Sequence, residues 1–165
     1  MTDLRDLIDR PYAIVGGVAT RLYMPERMTD DLDILIHSSD VERVYTQLAQ
    51  QNARRIGELS IGGTSWELPD KTVLDIISSD KPWVEIALQH PRLSPDDRQP
   101  VIDLPYLVLM KLEASRTNDL SDISRMLGLA GDRELDEVRR VIERYDPNSS
   151  EDLESLILLG KLEMS

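Results

Sequence analysis

The chain of 165 residues has no cysteine, no phenylalanine and only two histidines, His37 and His90. Without thiols it can form no disulfide or thiolate zinc site, and it has no cysteine nucleophile. Two imidazoles alone also disfavour a zinc site built on histidine. Aromatic residues make up 4% of the chain, so few side chains are available to stack on exposed nucleic-acid bases.

Long apolar runs and positive charge are scarce as well. No stretch of about 18 apolar residues is present, and the first ten residues alternate charged and apolar side chains, unlike a secretory signal. We therefore expect a cytoplasmic protein that does not contact membranes. The 31 acidic residues outnumber 19 Lys and Arg, which gives a net charge of −12. Such a surface repels a polyanion on average, so a nucleic acid would need a local basic patch.

The hydrophobic pattern predicts strands in the first part of the chain and helices in the second. Strands are predicted at 12–15, 32–37, 54–59, 64–68 and 72–78. Helices are predicted at 3–9, 18–24, 40–51, 83–89, 104–115, 120–129, 133–145 and 151–162, with Asp40 as an N-cap. The prediction is an α+β fold in one compact domain, with a small mixed sheet in an α/β core at 1–100 and a helical region at 101–165.

Two acids mark the start of an apolar strand in the stretch RMTDDLDILI, residues 27–36. In a strand, Asp31 and Asp33 share one face, because successive side chains alternate. A solvated strand edge explains such a pattern as well as a functional site does.

A third acid, Asp75, interrupts the apolar run VLDII, which is typical of a strand covered on both faces. A buried carboxylate is costly unless it is paired, protonated or given a cation. Mg²⁺ is a suitable cation because it prefers carboxylate oxygens and keeps waters that a phosphate can displace. If the strand of Asp75 lies beside that of Asp33, three carboxylates converge and two metal ions can clamp a phosphoryl transfer.

A glycine pair, Gly16 and Gly17, follows the apolar segment YAIV and opens a predicted helix. Backbone N–H groups and the helix dipole at such a position favour a phosphate. Taken alone the pair is a weak signal, because Gly-Gly pairs are more often turns, as we expect for Gly62 and Gly63.

The three parts together resemble the DNA polymerase β-like nucleotidyltransferase superfamily. That family has a hydrophobic residue followed by Gly-Gly or Gly-Ser, then a strand with an acid-hydrophobe-acid pattern, then a later strand with a third acid. Here the parts are VGG at 15–17, DLDI at 31–34 and LDI at 74–76. The resemblance implies that Asp31, Asp33 and Asp75 are the catalytic metal ligands for two Mg²⁺ ions.

The stretch LPYLVLMKLEASRTNDLSDISRML, at 104–127, is similar to the AbiEii-type nucleotidyltransferases of toxin–antitoxin systems. The resemblance implies that Lys111 and Arg116 bind nucleotide phosphates, and that Arg27 and Thr29 help to hold them. Asn118 stands where that family often has a lysine. The resemblance also implies a cognate antitoxin as a partner.

Asp119 and Asp122 also match the pattern of that family. Four residues of this stretch have a plainer interpretation as well. Lys111 can run its stem along the core and expose its ammonium. Arg116 can solvate a helix end, and Asp119 and Asp122 can be acids favoured by the dipole at the start of a helix.

The function expected from the residues and the resemblance is transfer of a nucleoside monophosphate from a nucleoside triphosphate to a hydroxyl acceptor. The acceptor can be a tRNA end, a protein or a small molecule. Two alternatives are a non-catalytic nucleotide-binding regulator and a protein–protein interaction module. The second would need an exposed apolar stripe, for which the final helix is the candidate, although packing on a neighbouring helix explains that stripe more simply.

Overall fold

The computed structural model describes residues 3–27 and 31–164. Its contacts divide them into two units. One unit comprises 3–19 and 31–102, and the other comprises 20–27 and 103–164.

The first unit is built on a seven-stranded mixed sheet. Its strands are β1 (Ala13–Val15), β2 (Leu32–His37), β3 (Arg54–Leu59), β4 (Gly63–Glu67), β5 (Val73–Ser79), β6 (Arg92–Leu93) and β7 (Pro100–Val101). The order across the sheet is β3-β4-β5-β2-β1-β7-β6. β2 runs parallel to β5 and β1 parallel to β7, whereas the other neighbours are antiparallel. This sheet, with the helices that follow it, confirms the predicted α+β class.

The helices are α1 (Gly16–Tyr23), α2 (Val41–Gln50), α3 (Val84–Gln89), α4 (Leu104–Ala114), α5 (Thr117–Leu129), α6 (Asp132–Tyr145) and α7 (Ser150–Glu163). Short 3₁₀ turns lie at Leu4–Asp6, Ser38–Asp40 and Pro147–Ser149. No helix in the described part of the chain is long and apolar enough to cross a membrane.

One face of the sheet carries much of the core of the first unit, and Leu35 of β2 is buried on the other. Leu74 and Ile76 of β5 are buried on the first of these faces, and the Trp66 ring of β4 lies 5.4 Å from the Tyr45 ring of α2. The Thr64 hydroxyl donates a 2.8 Å hydrogen bond to the Tyr45 hydroxyl and accepts one of 2.9 Å from Trp66 Nε1. Alternation along the strands leaves the intervening residues on the opposite face.

The alternation corrects the prediction that the strand of Asp75 is covered on both faces. Leu74 and Ile76 are buried, but Val73 is 43% exposed and Asp75 is half-buried. The apolar run indicated two covered faces because Val73 and Ile77 are apolar although they lie on the more open side.

Two further predictions differ from the structure in detail. Asp40 does occupy the N-cap position of α2, but its side chain makes no capping bond and accepts a 2.9 Å hydrogen bond from Arg10 Nε. The two-residue strands β6 and β7 were not predicted, because they lie in a loop rich in proline and aspartate.

In the second unit, α5 and α7 approach closely at two glycines. A side chain on Gly160 would collide with the Ser124 carbonyl, and one on Gly128 would collide with the Gly160 carbonyl. Lys161 Nζ donates hydrogen bonds of 3.2 and 2.7 Å to the carbonyls of Gly128 and Ala130, so it satisfies the end of α5.

Packing against α5 does not account for all of the apolar residues of α7. Leu153, Ile157 and Gly160 are buried, whereas Leu158 and Leu162 are 63% and 66% exposed. α7 thus packs on a neighbouring helix as expected, but this packing covers only part of the apolar stripe, because the leucines follow one another too closely to share one helix face.

Candidate active site

Asp33 and Asp75 occupy facing positions on neighbouring strands. β2 and β5 pair in parallel with Asp33 opposite Asp75, between the pairs Leu32–Leu74 and Ile34–Ile76. Residues in register on adjacent strands point to the same face, and the strands are about 4.8 Å apart. Both acids are half-buried, on the same face of the sheet as the buried Leu35. Two carboxylates from distant parts of the chain are thus brought side by side.

Ser65 of β4 extends this row of polar residues to a third strand. It pairs with Asp75 across the antiparallel β4–β5 ladder. Its hydroxyl donates a 2.6 Å hydrogen bond to Asp75 Oδ1. Because a hydroxyl carries no charge, this bond orients the carboxylate and leaves its negative charge in place.

Gly16 lies against the Asp33 carboxylate at the start of α1. Val15 pairs with Asp33 across β1 and β2, and Gly16 follows with a left-handed φ of +65°. A Cβ on Gly16 would clash with Asp33 Oδ2. The sequence therefore needs glycine here for two reasons, the backbone conformation and the space that the carboxylate fills. Gly17 follows in the first turn of α1 and is half-buried.

Asp31 lies one residue before β2 and is exposed. In residues 3–27 and 31–164, no group of three or more histidine, aspartate or glutamate side chains is arranged to hold a metal ion. The two in-register carboxylates suit a hard divalent cation by the chemistry of their oxygens. The complete three-acid metal site stays a prediction.

A buried charge cluster lies in the second unit, between α4 and α5. Lys111 is 8% exposed, and its Nζ donates hydrogen bonds of 3.4 Å to Asp119 Oδ1 and 3.2 Å to Asp122 Oδ2. Asp119 and Asp122 are 3% and 5% exposed. One ammonium thus neutralises part of the charge of two carboxylates in a region that little water reaches.

Two arginines complete the cluster. Arg116, largely exposed, donates from Nε to Asp119 Oδ2 at 2.7 Å, and its backbone N–H donates to the same oxygen at 3.3 Å. Arg27 Nη2 lies 3.9 Å from Asp122 Oδ2. The predicted phosphate-binding residues Arg27, Lys111 and Arg116 are therefore neighbours, while Thr29 lies outside the described residues.

The pKa of Asp119 reflects this surrounding charge. Burial acts to raise the pKa, but the Arg116 hydrogen bond and the charges of Lys111 and Arg116 outweigh it, so the pKa lies below its ordinary value. The carboxylate is therefore held ionised.

These contacts test the plainer interpretations of Lys111, Asp119 and Asp122. The plainer interpretation, in which Lys111 exposes its ammonium, is wrong, because the ammonium is buried between two carboxylates. Asp119 does lie in the first turn of α5 and accepts the N-cap N–H, so the helix-end interpretation is correct for its position. It is incomplete, because Asp119 also pairs with Lys111. Asp122 lies beyond the first turn and pairs with Lys111.

Ser65 lies beside Asp75, and the sequence analysis did not identify it as a site residue. The segment GTSWE, 63–67, alternates so that Thr64 and Trp66 face the core and Ser65 does not. That alternation was visible in the sequence, but its register against Asp75 was not, because the register depends on the β4–β5 turn.

No protein-family model matches the chain, and no curated protein matches its sequence. Among solved structures, it is similar to ANT(2'')-Ia in complex with adenylyl-2''-tobramycin, with 15% identity, a TM-score of 0.49 and coverage of 94% of this chain and 89% of that one. It is also similar to the solution structure of the antibiotic-resistance factor ANT(2'')-Ia, with 14% identity, a TM-score of 0.48 and coverage of 93% and 83%. A third similar structure is the Thermotoga maritima CCA-adding enzyme complexed with tRNA, with 15% identity and a TM-score of 0.41. There the match covers 93% of this chain and 46% of that enzyme.

Proposed function

We propose that the protein is a Mg²⁺-dependent nucleotidyltransferase that moves a nucleoside monophosphate from a nucleoside triphosphate to a hydroxyl acceptor. The observation that carries the proposal is the in-register pair Asp33 and Asp75, with Gly16 against the first of them. The sequence resemblance to the DNA polymerase β-like superfamily assigns the same residues to the same chemistry.

The carboxylates Asp31, Asp33 and Asp75 would hold two Mg²⁺ ions. When bound, these ions supply charge stabilisation for the attacking and leaving oxygens. Asp33 and Asp75 fit this role because their strands place them on one half-buried face, where water competes less for a cation. Asp31 would contribute from the residue just before β2.

The triphosphate would bind through backbone N–H groups at Gly16 and Gly17, at the amino end of α1. Arg27, Thr29, Lys111 and Arg116 are the further phosphate-binding residues in this proposal. The three cationic side chains lie within one cluster with the carboxylates of Asp119 and Asp122.

In the reaction, the acceptor oxygen attacks the α-phosphorus in line as the bond to the bridging oxygen of pyrophosphate breaks. Asp75 takes the acceptor proton, and pyrophosphate leaves. The protein's contribution is positioning and electrostatic stabilisation, as in other phosphoryl transfers.

The acceptor class is a tRNA end, a protein hydroxyl or a small molecule such as an aminoglycoside. The net charge of −12 favours acceptors with a small anionic footprint, because a long nucleic acid would be repelled over most of the surface. A role in a toxin–antitoxin system, with a cognate antitoxin as partner, follows from the resemblance at 104–127.

The experiment is incubation of the protein with each α-labelled nucleoside triphosphate, Mg²⁺ and three separate acceptor pools: bulk tRNA, cell-lysate protein and aminoglycosides. Label should enter one pool, and a chelator or Asp33→Asn should prevent it. Calorimetric binding of a triphosphate without transfer to any pool would contradict the proposal and favour a nucleotide-binding regulator.

A further inference from the structure

Asp75 receives its hydrogen bond from a neutral donor, whereas another acid on the same sheet face is paired with cations. Glu67 lies two residues from Ser65 on β4. Its Oε1 is 3.1 Å from Arg54 Nη2 and 3.7 Å from Lys71 Nζ. The bond to Asp75 comes from the Ser65 hydroxyl at 2.6 Å, and no salt bridge to Asp75 is present among the described residues. The charge of Asp75 is therefore oriented but not neutralised.

The strand order determines the side from which Ser65 reaches the Asp75 carboxylate. β5 lies between β4 and β2, so Ser65 reaches Asp75 from one side and Asp33 lies on the other. Ser65 engages Oδ1, which leaves Oδ2 for another ligand. The short O–H···O⁻ bond lies in the range of charge-assisted hydrogen bonds, which restrict the orientation of their acceptor.

We infer that Ser65 is a positioning residue, whose hydroxyl holds the Asp75 carboxylate in the orientation that binds a divalent cation together with Asp33. This inference rests on the proposed function, because it names a residue that supports the same site. Hydrogen-bond partners of metal ligands orient those ligands, and their loss lowers metal affinity or activity by about 10- to 100-fold.

Metal affinity tests the inference without any need for turnover. Binding of Mn²⁺, a paramagnetic substitute for Mg²⁺, is measured from the free-ion signal in electron paramagnetic resonance. Ser65→Ala should weaken Mn²⁺ binding by about 10-fold or more. Ser65→Thr keeps the hydroxyl on a residue that suits a strand, so it should restore most of the affinity.

The matched control is Ser78→Ala. Ser78 is a half-buried serine of β5 whose side chain lies on the face opposite Asp75, so its removal should leave Mn²⁺ binding unchanged. Circular dichroism of all variants verifies that the fold is retained. Asp75→Asn should remove the binding that Ser65→Ala weakens.

Three results would overturn the inference. Wild-type affinity in Ser65→Ala together with lost affinity in Asp75→Asn would leave the metal site intact and exclude a role for Ser65. Wild-type affinity in Asp75→Asn would show that Asp75 is not a metal ligand, and it would contradict the proposed function. A nucleotide found on Ser65 by mass spectrometry after incubation with triphosphates would make Ser65 an acceptor and not a positioning residue.

Discussion

Gly16 and Asp33 are in such close contact that a β-carbon on Gly16 would clash with the Asp33 carboxylate. The contact joins Gly16, the first residue of the glycine pair, to Asp33 of β2, which lies 17 positions later in the chain. Position 16 therefore requires glycine both because its φ of +65° is left-handed and because a β-carbon would have no space.

Gly16→Ala should therefore destabilise the fold and abolish nucleotidyl transfer. A non-glycine residue in a left-handed conformation costs about 1–2 kcal/mol by itself, and displacement of Asp33 adds to this cost. The measurements are denaturant unfolding and label transfer.

The control for Gly16→Ala is Gly62→Ala, which has a φ of +91° and open space where its Cβ would lie. It should show the backbone cost alone and keep transfer activity. Equal losses of activity in the two variants would show that the Gly16–Asp33 contact has no special role.

Asp33→Asn and Asp75→Asn should each lower transfer by at least about 100-fold, the scale of loss when one group that stabilises a transition state is removed. The fold should persist, because asparagine has the same shape. Initial rates with saturating Mg²⁺ give the comparison. Asp80→Asn removes the same charge from an exposed position just after β5 and should keep full activity. Comparable activity in all three variants would refute the assignment.

Lys111→Met should lower the free energy of unfolding by about 3–5 kcal/mol, because it leaves two buried carboxylates without their ammonium. Adding Asp119→Asn and Asp122→Asn to the same variant should recover part of the loss. Urea denaturation measures both effects.

The control for Lys111 is Lys71→Met. Lys71 pairs with Glu67 at 3.7 Å, but its side chain is 82% exposed, and exposed pairs contribute about 0–1 kcal/mol. If Lys111→Met cost no more than Lys71→Met, the buried cluster would not stabilise the second unit.

The lowered pKa of Asp119 predicts how the free energy of unfolding changes with pH. The folded state favours the ionised carboxylate, so its contribution to stability is complete above the unfolded pKa, about 3.9. It is lost as the pH falls through the lower folded pKa. The free energy of unfolding of the wild type should therefore fall more steeply on acidification below about pH 5 than that of Asp119→Asn. Parallel pH profiles would count against the ionised, paired state of Asp119.

The elements of the fold that sequence could predict are those with a strongly apolar segment bounded by polar residues. The apolar run of LDILIH, interrupted by Asp33, predicted β2 at 32–37, and the structure has Leu32–His37. The helix predicted at 104–115 closely matches α4 at Leu104–Ala114, because its apolar residues are a local signal.

What sequence could not give is pairing across elements. The bond from Ser65 to Asp75 depends on strand register, and the burial of Lys111 between two aspartates depends on how α4 packs against α5. Both are set by tertiary structure, where a favourable local pattern does not identify the partner. The two residues that changed interpretation most, Asp75 and Lys111, are both charged residues within apolar segments.

The most direct measurement is a crystal structure with Mn²⁺ and a non-hydrolysable nucleoside triphosphate, in which anomalous scattering locates the metal. The account predicts an ion bound to carboxylate oxygens of both Asp33 and Asp75, at about the 2.1 Å typical of Mg²⁺, and in contact with the nucleotide phosphates. A nucleotide and metal bound away from these two residues would contradict it.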